Sequence, residues 1–285
     1  MSYSVSVSSG NYSISVASSQ YSISVALSGV TNPSIYDPDY QTILDRATTL
    51  GYTLPSLSQR SKQNQLVLDL KSANIWNSLD IFYVFSTEGS SDFATLNWKA
   101  PSAFQITKVN SPTFTTNEGF NGDGSTSYLD TNWIPSTDAI NLTLNDASAG
   151  CYCFTPDLEP SKFLFGCLST DGITWNPRST SNTGAFRVNQ TSSSNYTNPD
   201  ASGFWHLQRW GVNSVRSLRN GTVDFSTTTG SGGIPSVSMA ILGVNNMGSF
   251  TNFTTRKVGM FFAGASLLGS QVDFYTAWNT YLTSL

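Results

Sequence analysis

The C-terminal stretch from Arg256 to Leu285, RKVGMFFAGASLLGSQVDFYTAWNTYLTSL, predicts one apolar strand followed by one amphipathic helix. The strand is the short apolar run RKVGMFFAG, which ends at a glycine. Ser270 stands at an N-cap position with Asp273 three residues later, a spacing typical of a helix start. Beyond Ser270 the large apolar side chains recur at helical spacing and share one face: Phe274, Tyr275, Trp278, Tyr281, Leu282 and Leu285. We expect this helix to close the fold by packing against a β-sandwich.

Residues 79–285 predict that β-sandwich, because short apolar runs alternate with clusters of glycine, asparagine, aspartate and proline. The first run is LDIFYVFS, which begins at Leu79. Later runs of the same kind are AFQITKV, INLTLND, GCYCFTP, KFLFGCLS, AFRVNQ, GFWHLQRWGV, TVDFSTTT and SMAILGVNN. The Asn220–Gly221 pair within RNGT predicts a tight type I′ hairpin. The fold class is therefore mainly β, with a sandwich or jelly-roll architecture.

Residues 31–78 predict a pair of short helices that connect the N-terminal segment to the sandwich. In DPDYQTILDRATTLG, Asp37 is placed as the N-cap, Pro38 as the first helical residue and Gly51 just beyond the end. A second helical pattern runs from Ser58 to Ala73. We expect the apolar stripes of both helices to be core residues that brace the joint, and not a cofactor site.

Residues 1–30 contain a nine-residue repeat in which Y-S-[VI]-S-V follows each of three tyrosines. At the period of a strand, each unit has an apolar face and a serine face. A ribbon of two or three such strips is marginally stable in water unless its apolar face is covered. We expect neighbouring copies of the chain or another protein to cover it, and the alternative is a meander packed on its own domain. The apolar positions are Tyr3, Val5, Val7, Tyr12, Ile14, Val16, Tyr21, Ile23 and Val25.

The composition narrows the class of protein. Aromatic residues make up 13% and charged residues 11% of the 285 residues, and the net charge is −4. Many aromatics among hydroxyl and amide side chains fit an extracellular-type or virion-type surface protein. The slight acidity argues against a nucleic-acid partner, and no apolar run is long enough for membrane insertion. The N-terminus lacks the features of a signal peptide, so we expect export inside an assembled particle.

Cysteine, histidine and glutamate content argues against catalysis. Cys151, Cys153 and Cys167 have no disulfide or zinc spacing and are predicted to be buried free thiols. His206 is the only histidine and lies between strand aromatics, so we expect a structural residue. The three glutamates show no glucanase-type pattern of paired carboxylates. We therefore expect no enzymatic activity.

Aromatic residues in polar, turn-rich surroundings are the candidate glycan contacts, because sugars stack on indole and phenol rings. Five such residues are Trp98, Tyr128, Trp133, Trp175 and Tyr196, of which Trp175 and Tyr196 are the better candidates. The alternative is that they fill the sandwich core, as Trp and Tyr commonly do. Trp205 and Trp210 are expected in the core.

The stretch NGDGSTSYLD is the only candidate for a metal site. It places Asn121, Asp123, Ser125 and Asp130 within ten residues but departs from the EF-hand pattern. We expect a glycine-rich hairpin turn. A calcium ion bound by Asp123 and Asp130 on one rim of the sandwich stays an open alternative, and no other cofactor is expected.

The stretch EGFNGDGSTSYLDTNW, together with VGMFFAGASLLGSQVDFYTAWNTYL, resembles the laminin-G-like, concanavalin-A-like family over residues from about 100 to 285. The whole arrangement is similar to virion proteins of tailed phages that infect Bacteroidota, including the head-fibre and tail-fibre proteins of crAss-like phages. The resemblance implies a jelly-roll sandwich, multimeric assembly and attachment to a sugar or host surface. It carries over no catalytic set.

From these observations we expect an oligomeric fibre subunit, a trimer, on the virion surface. Residues 1–30 would attach it to sister chains or to other virion proteins. Residues 31–78 would connect this segment to the sandwich, and residues 79–285 would contact host-surface glycan as a lectin-like domain. Two alternatives stay open: a purely architectural capsid decoration protein without a ligand, and a glycan depolymerase.

Overall fold

The computed structural model describes residues 36–157, 159–180, 182–198 and 200–285. The predicted repeat at residues 1–30, with its nine apolar positions, lies outside the described residues. The helices and the sandwich strands belong to one compact unit.

The described residues contain four α-helices and two single-turn 3₁₀ helices. The α-helices are α1 Pro38–Thr49, α2 Leu57–Ser72, α3 Pro135–Asp138 and α4 Gln271–Thr283, and the 3₁₀ helices are Trp76–Ser78 and Phe93–Thr95. The carboxylate of Asp37 accepts a hydrogen bond from the backbone N–H of Asp39 at 3.0 Å, as predicted for the N-cap of α1. Gly51, just past the end of α1, has a φ of +71°, which suits glycine. None of these helices has the length and apolar character of a membrane span.

Seventeen strands follow the helical pair in the described residues. They are β1 Leu79–Val84, β2 Thr107–Val109, β3 Thr113–Thr115, β4 Gly119–Asn121, β5 Tyr128–Asp130, β6 Ala147–Cys153, β7 Phe165–Leu168, β8 Gly172–Thr180, β9 Thr183–Gln190, β10 Ser194–Thr197, β11 Gly203–Gly211, β12 Ser214–Arg219, β13 Thr222–Thr228, β14 Ala240–Ile241, β15 Val244–Asn246, β16 Ser249–Thr251 and β17 Lys257–Gly264.

The strands form two sheets. The eight-stranded sheet has the order β13-β12-β11-β6-β17-β4-β3, with β1 also paired to β17. The nine-stranded sheet has the order β10-β9-β8-β7-β14-β5-β2, with β15 paired to both β7 and β16. The pairings are antiparallel except that of β15 with β7. The prediction of a mainly β sandwich with a closing helix is confirmed.

Strand β17 is buried on both faces, as its continuous apolar sequence predicts. Phe261 and Ala263 belong to the hydrophobic core between the two sheets. Met260 and Phe262 point to the opposite face and belong to a second core, which the helices cover. The eight-stranded sheet is therefore the middle layer of three along this strand.

Helices α1, α2 and α4 form the third layer on the outer face of the eight-stranded sheet. The predicted aromatic face of α4 is buried at Phe274, Trp278 and Tyr281. The Tyr281 hydroxyl donates to the backbone oxygen of Ser86 at 2.6 Å, which satisfies the polar end of a buried ring. Ser270 occupies the predicted N-cap position of α4 but makes no capping hydrogen bond through its side chain.

The hairpin between β12 and β13 has the predicted two-residue turn. Asn220 and Gly221 have φ angles of 51° and 77°, the left-handed values that a type I′ turn requires. The predictions for the three cysteines are also confirmed, since all of them are buried free thiols.

His206 is a buried residue of β11, as predicted, and its ring packs edge-on against Phe262 with 5.3 Å between centroids. Neither ring nitrogen has a hydrogen-bond partner among the described residues. Burial, together with the positive charge of Arg216, lowers the pKa of His206 to about 3. The imidazole is therefore neutral in the folded protein at neutral pH.

We expect the free energy of unfolding to fall as the pH drops from about 6.5 towards 5. The unfolded chain takes up a proton on its one histidine near pH 6.5, whereas the folded chain does not. The slope approaches about 1.4 kcal/mol per pH unit, and urea unfolding at a series of pH values measures it. Above pH 5 the carboxylates contribute little, so His206→Leu should flatten the profile. An equal slope in the wild type and the variant would contradict the assignment.

Candidate functional site

Three of the predicted glycan contacts lie in the hydrophobic cores. Trp98, Trp133 and Trp175 have at most 1% of their surface exposed. Trp175 lies within β8, with its ring 4.6 Å from that of Trp205. Their burial favours the alternative that they fill the core, because their indoles lie in the interior of the sandwich and in the layer beneath the helices. A fully covered indole offers no face to a sugar.

Tyr196 and Tyr128, the other two predicted contacts, are partly buried and lie far apart in the strand order of the nine-stranded sheet. Tyr196 is on edge strand β10, where its ring stacks on Phe225 at 5.1 Å and belongs to the periphery of the core. Tyr128 is on β5 near the opposite edge, stacked on Phe250 at 4.3 Å. Of the five predicted residues, the structure brings together only Trp175 and Tyr196.

Asp123 organises a turn, as the glycine-rich sequence predicts. Its Oδ1 accepts hydrogen bonds from the backbone N–H groups of Ser125, Thr126 and Ser127 at 2.7–2.9 Å. These bonds, led by that from Ser127, hold the pKa of Asp123 well below its usual range. Asp130 accepts instead from the backbone N–H of Asn132. In the described part of the chain, no group of three or more His, Cys, Asp or Glu side chains could hold a metal ion.

We expect calcium to leave the thermal stability of the protein unchanged, because the Asp123 carboxylate is already saturated by its own turn. Differential scanning calorimetry in CaCl₂ and in EDTA should give the same Tm. Asp123→Ala should lower the Tm by about 2–4 °C in both buffers, since the turn loses an acceptor worth about 1 kcal/mol. A rise in Tm with calcium that Asp123→Ala abolishes would show that the calcium alternative is correct.

Trp210 is the only one of the seven tryptophans that is not buried. It lies near the end of β11, and the prediction that it belongs to the core is wrong. The reason is its position on the outer face of the eight-stranded sheet, beyond the helical layer. A cleft of about 480 Å³ opens there, lined by Trp210, Asn213, Ser214, Ser226, Thr227 and Thr228. Apart from the indole, the cleft presents hydroxyl and amide side chains.

Arg216 on β12 packs over the Trp210 ring, with 4.7 Å between its guanidinium carbon and the ring centroid. Its Nε and Nη2 both donate to Oε1 of Gln208, at 3.0 and 2.8 Å. Gln208 is fully buried on β11 directly opposite Arg216, and Ser226 of β13 is opposite on the other side. The side chains around the cleft are thus held by a rigid three-stranded surface.

Arg209, the neighbour of Trp210, fixes the turn and strand end that border the cleft. Its guanidinium is fully buried and makes no ion pair within the described ranges. It instead donates to five acceptors at 2.7–3.1 Å: the backbone oxygens of Val188, Gly211, Val212 and Thr229 and the side-chain oxygen of Gln190. Each hydrogen bond from a charged donor is worth about 1.5–3 kcal/mol. Arg209 is therefore a positioning residue for the cleft.

Carboxylates are engaged away from this cleft. Glu118 pairs with Lys257, and Glu159 accepts hydrogen bonds from Thr254 and Thr255. Glu88 accepts from the backbone N–H of Ser56. Since none of the residues that line the cleft is acidic, the cleft lacks the pair of carboxylates that glycosidic hydrolysis requires.

The signal that could have identified the cleft is the alternation within GFWHLQRWGV. One face of β11 carries Phe204, His206, Gln208 and Trp210, so that two polar side chains separate an apolar start from the indole near the end. Phe204 packs on Phe274 of α4 at 5.1 Å. Trp210, near the C-terminal end of β11, is not covered by this helix.

Comparisons with known proteins support the fold. No protein-family model matches the chain, and no curated protein matches it. A mutant of HCR/D superposes with a TM-score of 0.50 at 7% identity, over 72% of this chain and 52% of that one. A mutant of Trypanosoma rangeli sialidase displaying trans-sialidase activity gives 0.50 at 10% identity, over 79% and 40%. Domain 4 of AbnA, a GH43 extracellular arabinanase from Geobacillus stearothermophilus, in complex with arabinotriose, gives 0.46 at 15% identity, over 70% and 98%.

The chain thus spans about half or less of the first two of these structures. At such low identity the likeness to the first two structures shows the architecture alone, which is that of a two-sheet β-sandwich.

Proposed function

We propose that the sandwich is a glycan-binding domain and that the Trp210 cleft is its binding site. The observation that supports this proposal is the partly exposed indole of Trp210, which lies among hydroxyl and amide side chains. Ligand sites combine an apolar or aromatic surface with a few well-placed polar groups. An indole face complements the C–H face of a pyranose, and serine, threonine and asparagine complement its hydroxyls.

The cleft is suited to binding without catalysis. None of the residues that line the cleft is acidic. Arg209 fixes the strand end and the turn that border the cleft, so little ordering is needed when a ligand binds. A shallow cleft of this kind gives low affinity per copy. Several linked copies would raise the avidity by about 10²–10⁴ without new contacts.

We further propose that the protein is an oligomeric fibre subunit of a phage virion, with the glycan-binding domain facing outward. The support is the sequence resemblance to head-fibre and tail-fibre proteins and the repeat at residues 1–30. The apolar strips of that repeat require cover from another polypeptide, which sister chains in a trimer or other virion proteins would supply.

Trp210→Ala should weaken glycan binding at least about tenfold, because the stacking surface is lost. The measurement is a glycan array with a multivalent form of the protein, followed by titration of the best ligand. Tyr128→Ala is the matched control, since it removes a partly exposed ring from the other sheet, and we expect it to bind as the wild type does.

Three outcomes would count against this assignment. Loss of binding in Tyr128→Ala with retention in Trp210→Ala would move the site to the other sheet. Absence of binding by the multivalent wild type would favour a purely architectural protein. Release of soluble sugar from host polysaccharide would favour a depolymerase.

Deleting residues 2–28 should leave the sandwich folded and prevent incorporation into virions, because the proposed attachment surface is removed. Thermal unfolding of the truncated protein checks the fold, and its abundance in purified particles checks incorporation. Normal abundance of the folded truncation would show that residues 2–28 do not anchor the protein.

A further inference from the structure

Arg216 carries a positive charge that no acidic side chain of the described residues pairs with. Two other arginines of the described residues do have acidic partners: Arg219 pairs with Asp200, and Arg256 pairs with Asp157. Arg216 forms no such ion pair in the described part of the chain, and its only hydrogen-bond acceptor there is the neutral amide oxygen of Gln208. Burial lowers the pKa of Arg216. An unpaired, half-buried guanidinium favours an anionic ligand.

The geometry of the guanidinium leaves one edge available for that ligand. The side-on edge, formed by Nε and Nη2, is directed to Oε1 of Gln208 at 3.0 and 2.8 Å. The end-on edge, formed by Nη1 and the second hydrogen of Nη2, has no acceptor among the residues described. Two parallel N–H donors on this edge match the two oxygens of a planar carboxylate.

The guanidinium of Arg216 adjoins the proposed sugar site. The guanidinium lies over the Trp210 ring, and Ser226, which pairs with Arg216 across the strands, lines the same cleft. A ligand in the cleft that contacts the Trp210 indole would therefore have a cation close to it. A polyanion is disfavoured, because no lysine or arginine is among the residues that line the cleft, so Arg216 over the indole is a single cation beside it, and the chain carries a net charge of −4.

We propose that the Trp210 cleft selects sugars that bear a carboxylate, and that Arg216 binds the carboxylate through its end-on edge. This inference rests on the proposed glycan-binding function and assigns the ligand class of that site. Trp210 contributes stacking to any sugar, whereas Arg216 discriminates acidic from neutral ones.

The test compares four multivalent probes that share one scaffold: glucuronate, the methyl ester of glucuronate, glucose and glucose 6-sulfate. We expect the wild type to bind the glucuronate probe at least about tenfold more tightly than the ester or glucose probes. The preference should weaken at high salt, since it depends on charge. We expect sulfate to bind more weakly than carboxylate, because its oxygens are less basic and accept hydrogen bonds more weakly.

Two variants separate this inference from the proposed function. Arg216→Gln should bring the ratio of glucuronate to glucose affinity close to one, whereas Trp210→Ala should weaken the binding of both probes. Arg216→Lys should keep only part of the preference, because it retains the charge but loses the paired donors. Thermal unfolding confirms that both variants are folded.

Equal affinity of the wild type for the glucuronate and glucose probes would overturn the inference while leaving the glycan site intact. Equal or stronger binding of the sulfate probe would overturn the carboxylate assignment. If no probe bound and Trp210→Ala had no effect on any glycan, the proposed function itself would fail.

Discussion

The burial of both faces of β17 is the constraint on which the rest of the structure depends. This strand lies beside β1, β4 and β6, and its side chains enter both hydrophobic cores. Each large apolar side chain that leaves water contributes about 1.5–3 kcal/mol, so neither face can be left open at low cost. The second sheet covers one face, and the helices cover the other. The helical pair is therefore part of the core structure of the domain.

The same constraint determines where the outer face of the sheet is free to bind a ligand. The helices cover the apolar side chains of β1, β17 and the first part of β11. Farther along β11 the outer side chain of Gln208 is polar, and so are those of Arg216 and Ser226 opposite it on β12 and β13. Covering these side chains with a helix would bury little apolar surface. The cleft lies at this end of β11 because the helical layer does not extend over it. A rigid sheet then presents Trp210 without the entropic cost of ordering a loop.

Two arginines near this cleft show how similar residues come to serve different purposes. Arg209 faces inward and donates to five acceptors, most of them backbone oxygens, so its guanidinium stabilises the backbone. Arg216 faces outward and has one neutral acceptor, so part of its hydrogen-bonding capacity remains. Because the side chains of a strand alternate between faces, the direction in which each arginine points decides its role.

The sequence by itself determined the local features of this protein. The Asp37 cap, the Asn220–Gly221 turn and the apolar run of β17 follow from hydrogen bonding, backbone sterics and periodicity, which act over a few residues. Only the tertiary structure decided which tryptophan is left partly exposed. Trp175 and Trp210 both lie in strands. The polar neighbours of Trp175 along the chain suggested a ligand contact there, whereas Trp210 is the one that is partly exposed. Exposure depends instead on whether another layer covers that face, and those layers come from distant parts of the chain.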